Sequence, residues 1–171
     1  MSYFNQFGTI VYDPAGDGSA KLCTDIMSRV RVRANMKKEI VMLDQYDVQE
    51  NETPEIVSDK HHGTPYYHWV VMLINNMSDV NHDWVKSTRQ MQKYLLDKYT
   101  EEQLIEPHHY EAYQTSGDTT ITIEVENANY PSASAVSNYE YEVALNEEKR
   151  KIDLLRNDYL GFFTDEFENL I

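Results

Sequence analysis

The stretch TPEIVSDKHHGTPYYHWVVMLIN, residues 53–75, contains two helix starts of the same design. Thr53-Pro54-Glu55 and Thr64-Pro65 each place a hydroxyl where it can accept an orphan N–H of the first turn. Each follows it with proline, whose missing N–H costs nothing at that position. Beyond the second start, Tyr66, Trp69, Val70, Leu73, Ile74 and Met77 recur at intervals of three and four, which predicts one apolar helical face. Asn75-Asn76 and the polar run from Ser78 to Asp83 end that helix, and Trp84 is expected to return and cover it. Upstream, Ile40-Val41-Met42-Leu43 and Tyr46-Asp47-Val48 have the composition of strands, and Gln49-Glu50-Asn51-Glu52 supplies a turn. The expectation is a small module over residues 21–100, short strands with two helices, whose core is Tyr46, Val48, Val57, Tyr66, Trp69, Val70, Leu73 and Trp84.

The flanks read as attachments to that module. Residues 1–20 form an apolar arm, carried by Tyr3, Phe4, Phe7, Ile10, Val11 and Tyr12, that breaks at the turn formers Asp13 to Gly18. Arg29, Arg31, Arg33, Lys37 and Lys38 follow with no acid between Asp25 and Glu39, a basic strip in an otherwise acidic chain. Residues 86–99 are expected to form a helix with Met91, Tyr94, Leu95 and Tyr99 on one side. Residues 101–135 then read as a β-hairpin and linker: His108–Gln114, a turn at Thr115-Ser116-Gly117-Asp118, the alternating strand 119–125, and a linker over Asn127–Ala135. Ser137 and Glu140 form a capping box at the head of residues 136–171, read as a long helix. Its seam runs Tyr141, Leu145, Glu148, Ile152, Leu155, Tyr159 and Phe162, and the apolar pattern restarts after Gly161 with Phe163 and Phe167. A narrow seam implies a helical partner, so Tyr3, Phe4, Phe7, Arg29, Arg31, Arg33, Tyr141, Leu145, Ile152, Leu155, Tyr159, Phe162, Phe163 and Phe167 are the candidate partner-binding residues. The fold class is α+β.

Composition narrows the function classes. The chain has 171 residues, 29 acidic against 15 basic, and a net charge of −14, which repels nucleic acid and anionic membrane surfaces. The apolar run Trp69–Ile74 is far shorter than the ~20 residues that span a bilayer. The single cysteine, Cys23, cannot close an intrachain disulfide, and the first residues lack a secretory signal, so a cytosolic origin is expected. No nucleotide-binding glycine loop or Gly-x-Ser-x-Gly elbow is present. Asp79-x-Asn81-x-Asp83 imitates the start of a calcium loop, but Trp84 stands where glycine is needed and Gln90 where glutamate is needed. His61-His62, His68, His82 and His108-His109 read as surface or core histidines rather than a zinc set, since adjacent histidines point different ways and no second thiolate exists. No cofactor, metal, small-molecule substrate or catalytic residue is expected.

The segment from Tyr46-x-Val48 to Asn75, with Glu52-Thr53 before the first helix and Gly63 before the second, resembles the LysM motif. The chain is more closely similar to the LysM-containing baseplate wedge protein family, gene product fifty-three, of T-even-type contractile-tailed phages. That similarity rests on Pro54-Glu55, His62-Gly63-Thr64-Pro65, Tyr67-x-Trp69, Val70 to Ile74, Asn75 and Trp84. It recurs in Tyr139-Glu140, Asn146-Glu147, Arg150, Ile152 and Leu154-Leu155, and at the opening in Tyr3-Phe4, Tyr12-Asp13 and Thr24-Asp25-Ile26. The resemblance implies a non-enzymatic virion protein, made and assembled in the bacterial host cytoplasm, that clamps a helical wedge core and helps join neighbouring wedges around the hub. Its partners would be other baseplate wedge proteins. The alternative is a peptidoglycan-binding LysM tail protein or cell-wall hydrolase component, since LysM modules often serve cell-wall hydrolases and acidic pairs such as Glu101-Glu102 are plentiful. Such a hydrolase needs carboxylates facing across a cleft, and the rest of the chain offers little to build one.

Overall fold

The computed structural model describes residues 7–28, 32, 40–126 and 133–170. Its first half carries β1 (Thr9–Tyr12), β2 (Lys21–Thr24), β3 (Leu43–Asp47), α1 (Pro54–His62), α2 (His68–Ile74), α3 (Val80–Asp83), α4 (Thr88–Lys98) and α5 (Glu101–Ile105). There follow β4 (Pro107–Tyr113), β5 (Thr122–Val125), β6 (Ser134–Ser137), α6 (Asn138–Glu148), β7 (Lys151–Leu155) and α7 (Asn157–Leu170), and 3-10 turns occupy Ile40–Met42 and Pro65–Tyr67. The class is α+β, as expected. The described residues fall into two compact units, one running up to Trp84 and resuming at Lys151, the other spanning Val85–Arg150.

In the first unit β3 and β7 pair antiparallel, from Leu43↔Leu155 to Asp47↔Lys151, with α1 and α2 between them in sequence. Helix α1 begins where Pro54 places it, whereas Pro65 opens the 3-10 turn and α2 begins at His68. The Thr53 hydroxyl accepts from Ile56 N, and α1 ends at Gly63, whose φ of 74° is the left-handed conformation that glycine takes without strain. Asn75, just past α2, reads the backbone of β7 like a third strand: its Nδ2 donates to Asp153 O at 2.8 Å and its Oδ1 accepts from Asp153 N at 2.9 Å. The core gathers Trp69, Val70, Ile74, Leu155, Phe163, Phe167 and Phe7. Apart from this sheet, β1 and β2 form a hairpin from Thr9↔Thr24 to Tyr12↔Lys21, and the Asp13 carboxylate caps its loop by accepting from Gly16 N and Gly18 N.

In the second unit the sheet order is β5-β4-β6. Three of its helices open with capping boxes, Ser87/Gln90, Thr100/Gln103 and Ser137/Glu140, so their starts are set locally. Asn146 on α6 closes the stem: its Nδ2 donates to Lys86 O at 3.0 Å and its Oδ1 accepts from Lys86 N at 2.8 Å. Farther along α6, the buried Glu142 accepts from Lys98 Nζ at 2.5 Å, Tyr99 OH at 3.0 Å and Tyr94 OH at 3.2 Å, fastening α6 to α4.

Three expectations are corrected. Residues 136–171 are not one long helix, because helix gives way to strand and then to helix again. Glu148, the one polar position in the expected seam, is the last residue of α6. Beyond it Ile152, Leu154 and Leu155 are buried and their backbone pairs with β3, so cross-strand pairing overrides the helical spacing of Ile152 and Leu155. The expected linker ends in β6, which pairs with β4 through Glu111↔Ser134 and Tyr110↔Ala135. The division at residues 100, 135 and 136 also gives way, since α4 lies in the second unit and β7 with α7 in the first.

Gly161 lies inside α7 rather than at a break, and a Cβ added there would meet nothing within 4 Å. Gly161→Ala is therefore expected to stabilise the protein by about 0.5–1 kcal/mol in urea titrations followed by circular dichroism. A chain ended at Asn138 loses β7 and α7, and the same titration should show the cooperative transition of the first unit gone.

Candidate docking surfaces

Of the expected module core, Val48, Val57, Trp69, Val70 and Trp84 are buried, Leu73 packs partly buried against them and Tyr46 is half-buried. Tyr66 is 64% exposed. Thr64 accepts from Tyr66 N and so caps only the 3-10 turn, and α2 starts at His68, which rotates Tyr66 out of the apolar face.

A residue that the sequence presents as part of a turn organises this core. The Glu52 carboxylate is buried and accepts from Tyr46 OH at 2.9 and 3.0 Å, from Gln49 N at 2.7 Å and from Lys60 Nζ, while its backbone carbonyl accepts from Trp84 Nε1 at 2.8 Å. Burial pushes the Glu52 pKa up. The Lys60 and Gln49 donors and the Tyr46 hydroxyl outweigh burial and hold it below the ordinary value. One buried residue thus ties together β3, the turn and α1 through its charge and Trp84 through its backbone carbonyl.

The partner-binding candidates divide into four groups. Phe7, Ile152, Leu155, Phe163 and Phe167 are buried within the first unit and are corrected from docking residues to core. Trp69 stands 4.6 Å from Phe167 and 6.2 Å from Phe163, ring centroid to ring centroid, and Phe7 meets Phe167 edge-on at 6.3 Å. Tyr159 packs partly buried against the same cluster. Tyr141, in the second unit, is half-buried and stacks on His108 at 3.7 Å. Leu145 and Phe162 remain exposed, Phe162 at 61%. Tyr3, Phe4, Arg29, Arg31 and Arg33 lie outside the described residues, as does the rest of the basic strip.

The available apolar surface lies mostly elsewhere. On the hairpin, the directly paired Val11 and Leu22 are 72% and 71% exposed. On the second unit, Ile105 and Tyr113 are 79% and 60% exposed, and Leu96 and Tyr139 follow at 54% and 51%. The apolar run Ile10–Tyr12 signals Val11 of the first pair. Leu96 and Tyr139 were hidden because periodicity shows that a helix has an apolar side but not which part of it stays uncovered. Among the described residues no three or more metal-binding side chains converge, and no helix is long and apolar enough to cross a membrane.

Residues 23–119, more than half of the chain, match the family model described as Base plate wedge protein 53. No curated protein matches the chain.

Glu52→Gln keeps the shape of the buried cluster and removes its charge, and is expected to cost about 2 kcal/mol in urea titrations near neutral pH. Because the folded-state pKa is depressed, this stability is fully present above the ordinary glutamate value of 4.5 and is lost as pH falls through the lower folded value. The gap between wild type and variant should therefore narrow below that pH.

Proposed function

The chain belongs to the Base plate wedge protein 53 family of structural phage tail baseplate proteins, and from that premise we propose that it works as a clamp in the wedge of a T-even-like contractile tail. One part of it holds a helical wedge core and another reaches a neighbouring wedge, helping wedges close around the hub. It acts by contact alone, without catalysis or cofactor, and assembles in the host cytoplasm.

The observation that carries this reading is how the chain uses its apolar side chains. The aromatic residues that would have served a flexible docking tail are packed into a rigid module with Trp69 and Leu155. Exposed apolar pairs remain on two separately packed units, Val11 with Leu22 on one and Leu96 with Tyr139 on the other. Surfaces of this kind on a small acidic protein suit attachment to more than one neighbour. The order β3-α1-α2-β7, with its strands antiparallel, supports a LysM-like reading of the module.

Co-expression with baseplate wedge proteins followed by size-exclusion chromatography tests the proposal. Wild type should co-elute with wedge proteins, and a Val11→Asp/Leu22→Asp variant, altered where side chains are exposed, should do so less completely while keeping its circular dichroism. The clamp reading fails if wild type co-elutes with none of them and pellets with insoluble peptidoglycan instead.

A further inference from the structure

The second unit contains an open apolar groove of about 450 Å³ between α4 and α6. Its geometry follows from how the two helices are held. The Glu142 cluster fastens them at one place and the Asn146–Lys86 pair at another, and neither clamp is apolar. Between these clamps, part of the apolar surface of both helices faces the groove. Met91, Leu95 and Leu96 line it from α4, Tyr139 and Val143 from α6 and Leu104 from α5. Along α6 the lining positions 139, 143, 146 and 147 fall at steps of four, three and one, and along α4 positions 88, 91, 92, 95 and 96 alternate steps of three and one, so each set marks one side of its helix. Two helical stripes face a shared gap. A third helix, with its own apolar side chains at that spacing, is the shape that would seat between them.

Charge then selects the kind of helix. Lys86 also lines the groove, is half-buried, lies 5.0 Å over the Tyr94 ring and has no carboxylate within ion-pair distance among the described residues. Burial pushes its pKa down, the nearby Lys149 charge adds to that and Glu142 opposes it. Arg150 lines the groove as well, with Glu147 bonded to its Nε at 2.7 Å. In a chain of net charge −14 this is a locally positive lip. A carboxylate arriving there would give Lys86 the counter-charge it lacks and offset part of the cost of its burial.

We infer that the groove between α4 and α6 is a docking site for an amphipathic helix of another protein, one carrying a carboxylate beside its apolar stripe to meet Lys86. This rests on the wedge reading for its biological setting but not for its geometry.

The probes are two synthetic helical peptides with leucines at i, i+3, i+4 and i+7, differing only in a glutamate or a lysine one turn beyond, titrated by fluorescence anisotropy against the full chain. The glutamate peptide should bind more tightly, by about threefold. Lys86→Gln should abolish that preference, and Leu96→Asp should weaken both peptides by about tenfold. Tyr139→Ser, at a similarly exposed position, replaces Leu96→Asp if that variant loses its circular dichroism. The inference is overturned if neither peptide saturates, if the preference survives Lys86→Gln, or if sedimentation shows a Leu96-dependent dimer, which would make a second copy the occupant. Repeating the co-expression experiment with Lys86→Gln/Leu96→Asp separates the two ideas. Equal co-elution of wild type and variant rejects the groove and leaves the wedge reading intact, whereas peptide binding without any wedge co-elution does the reverse.

Discussion

The antiparallel pairing of Leu43–Asp47 with Lys151–Leu155 is the constraint on which the rest of the first unit depends. It joins segments with all of Val85–Arg150 between them, so the chain closes a very long loop to make it. The entropic cost grows only with the logarithm of loop length, and a second compact unit inside the loop leaves less freedom to lose. The pairing is reinforced where ladder bonds end. Asn75 donates to and accepts from Asp153 across a separation of 78 residues, and Arg156 N donates to Met42 O at 3.0 Å just past the strand. Once β7 is in place, Leu155 meets Trp69 and α7 lays Phe163 and Phe167 over it.

Each unit also buries one glutamate, and the two solutions are alike. Glu52 is held by a tyrosine hydroxyl, a backbone N–H and Lys60, and Glu142 by two tyrosine hydroxyls and Lys98. In both cases burial raises the carboxyl pKa and the donors lower it by more. Such clusters gain little over a well-packed apolar substitute, because desolvation consumes much of the attraction. What they add is selectivity, since a helix slipped by one residue would leave a charge buried without donors.

Where signals are local, the sequence was a good guide. The Thr53-Pro54 start and the Ser137–Glu140 capping box each rest on contacts within a few residues. Tyr66 misled because a 3-10 turn and a helix begin with the same hydroxyl cap. Ile152 and Leu155 misled because their spacing of three is helical, and the deciding partner, β3, lies far away in sequence. Phe7, Phe163 and Phe167 looked like surplus apolar surface only while the cluster they complete was unknown. Glu52 gave no sign of its role, since a buried charge is recognised by the donors that fold around it. The same blindness hid the groove: the stripes on α4 and α6 were legible singly, but not that they face each other across a gap.

The insertion of one unit within the other also governs timing. As the chain leaves the ribosome, β3, α1 and α2 emerge early yet cannot close their sheet, because the strand that completes it has not been translated. The interposed unit, compact in itself, is free to fold as soon as it emerges. The older half of the chain thus waits for the younger, with Trp69 and Val70 uncovered for the time needed to add some eighty residues, on the order of 4–16 s at bacterial elongation rates.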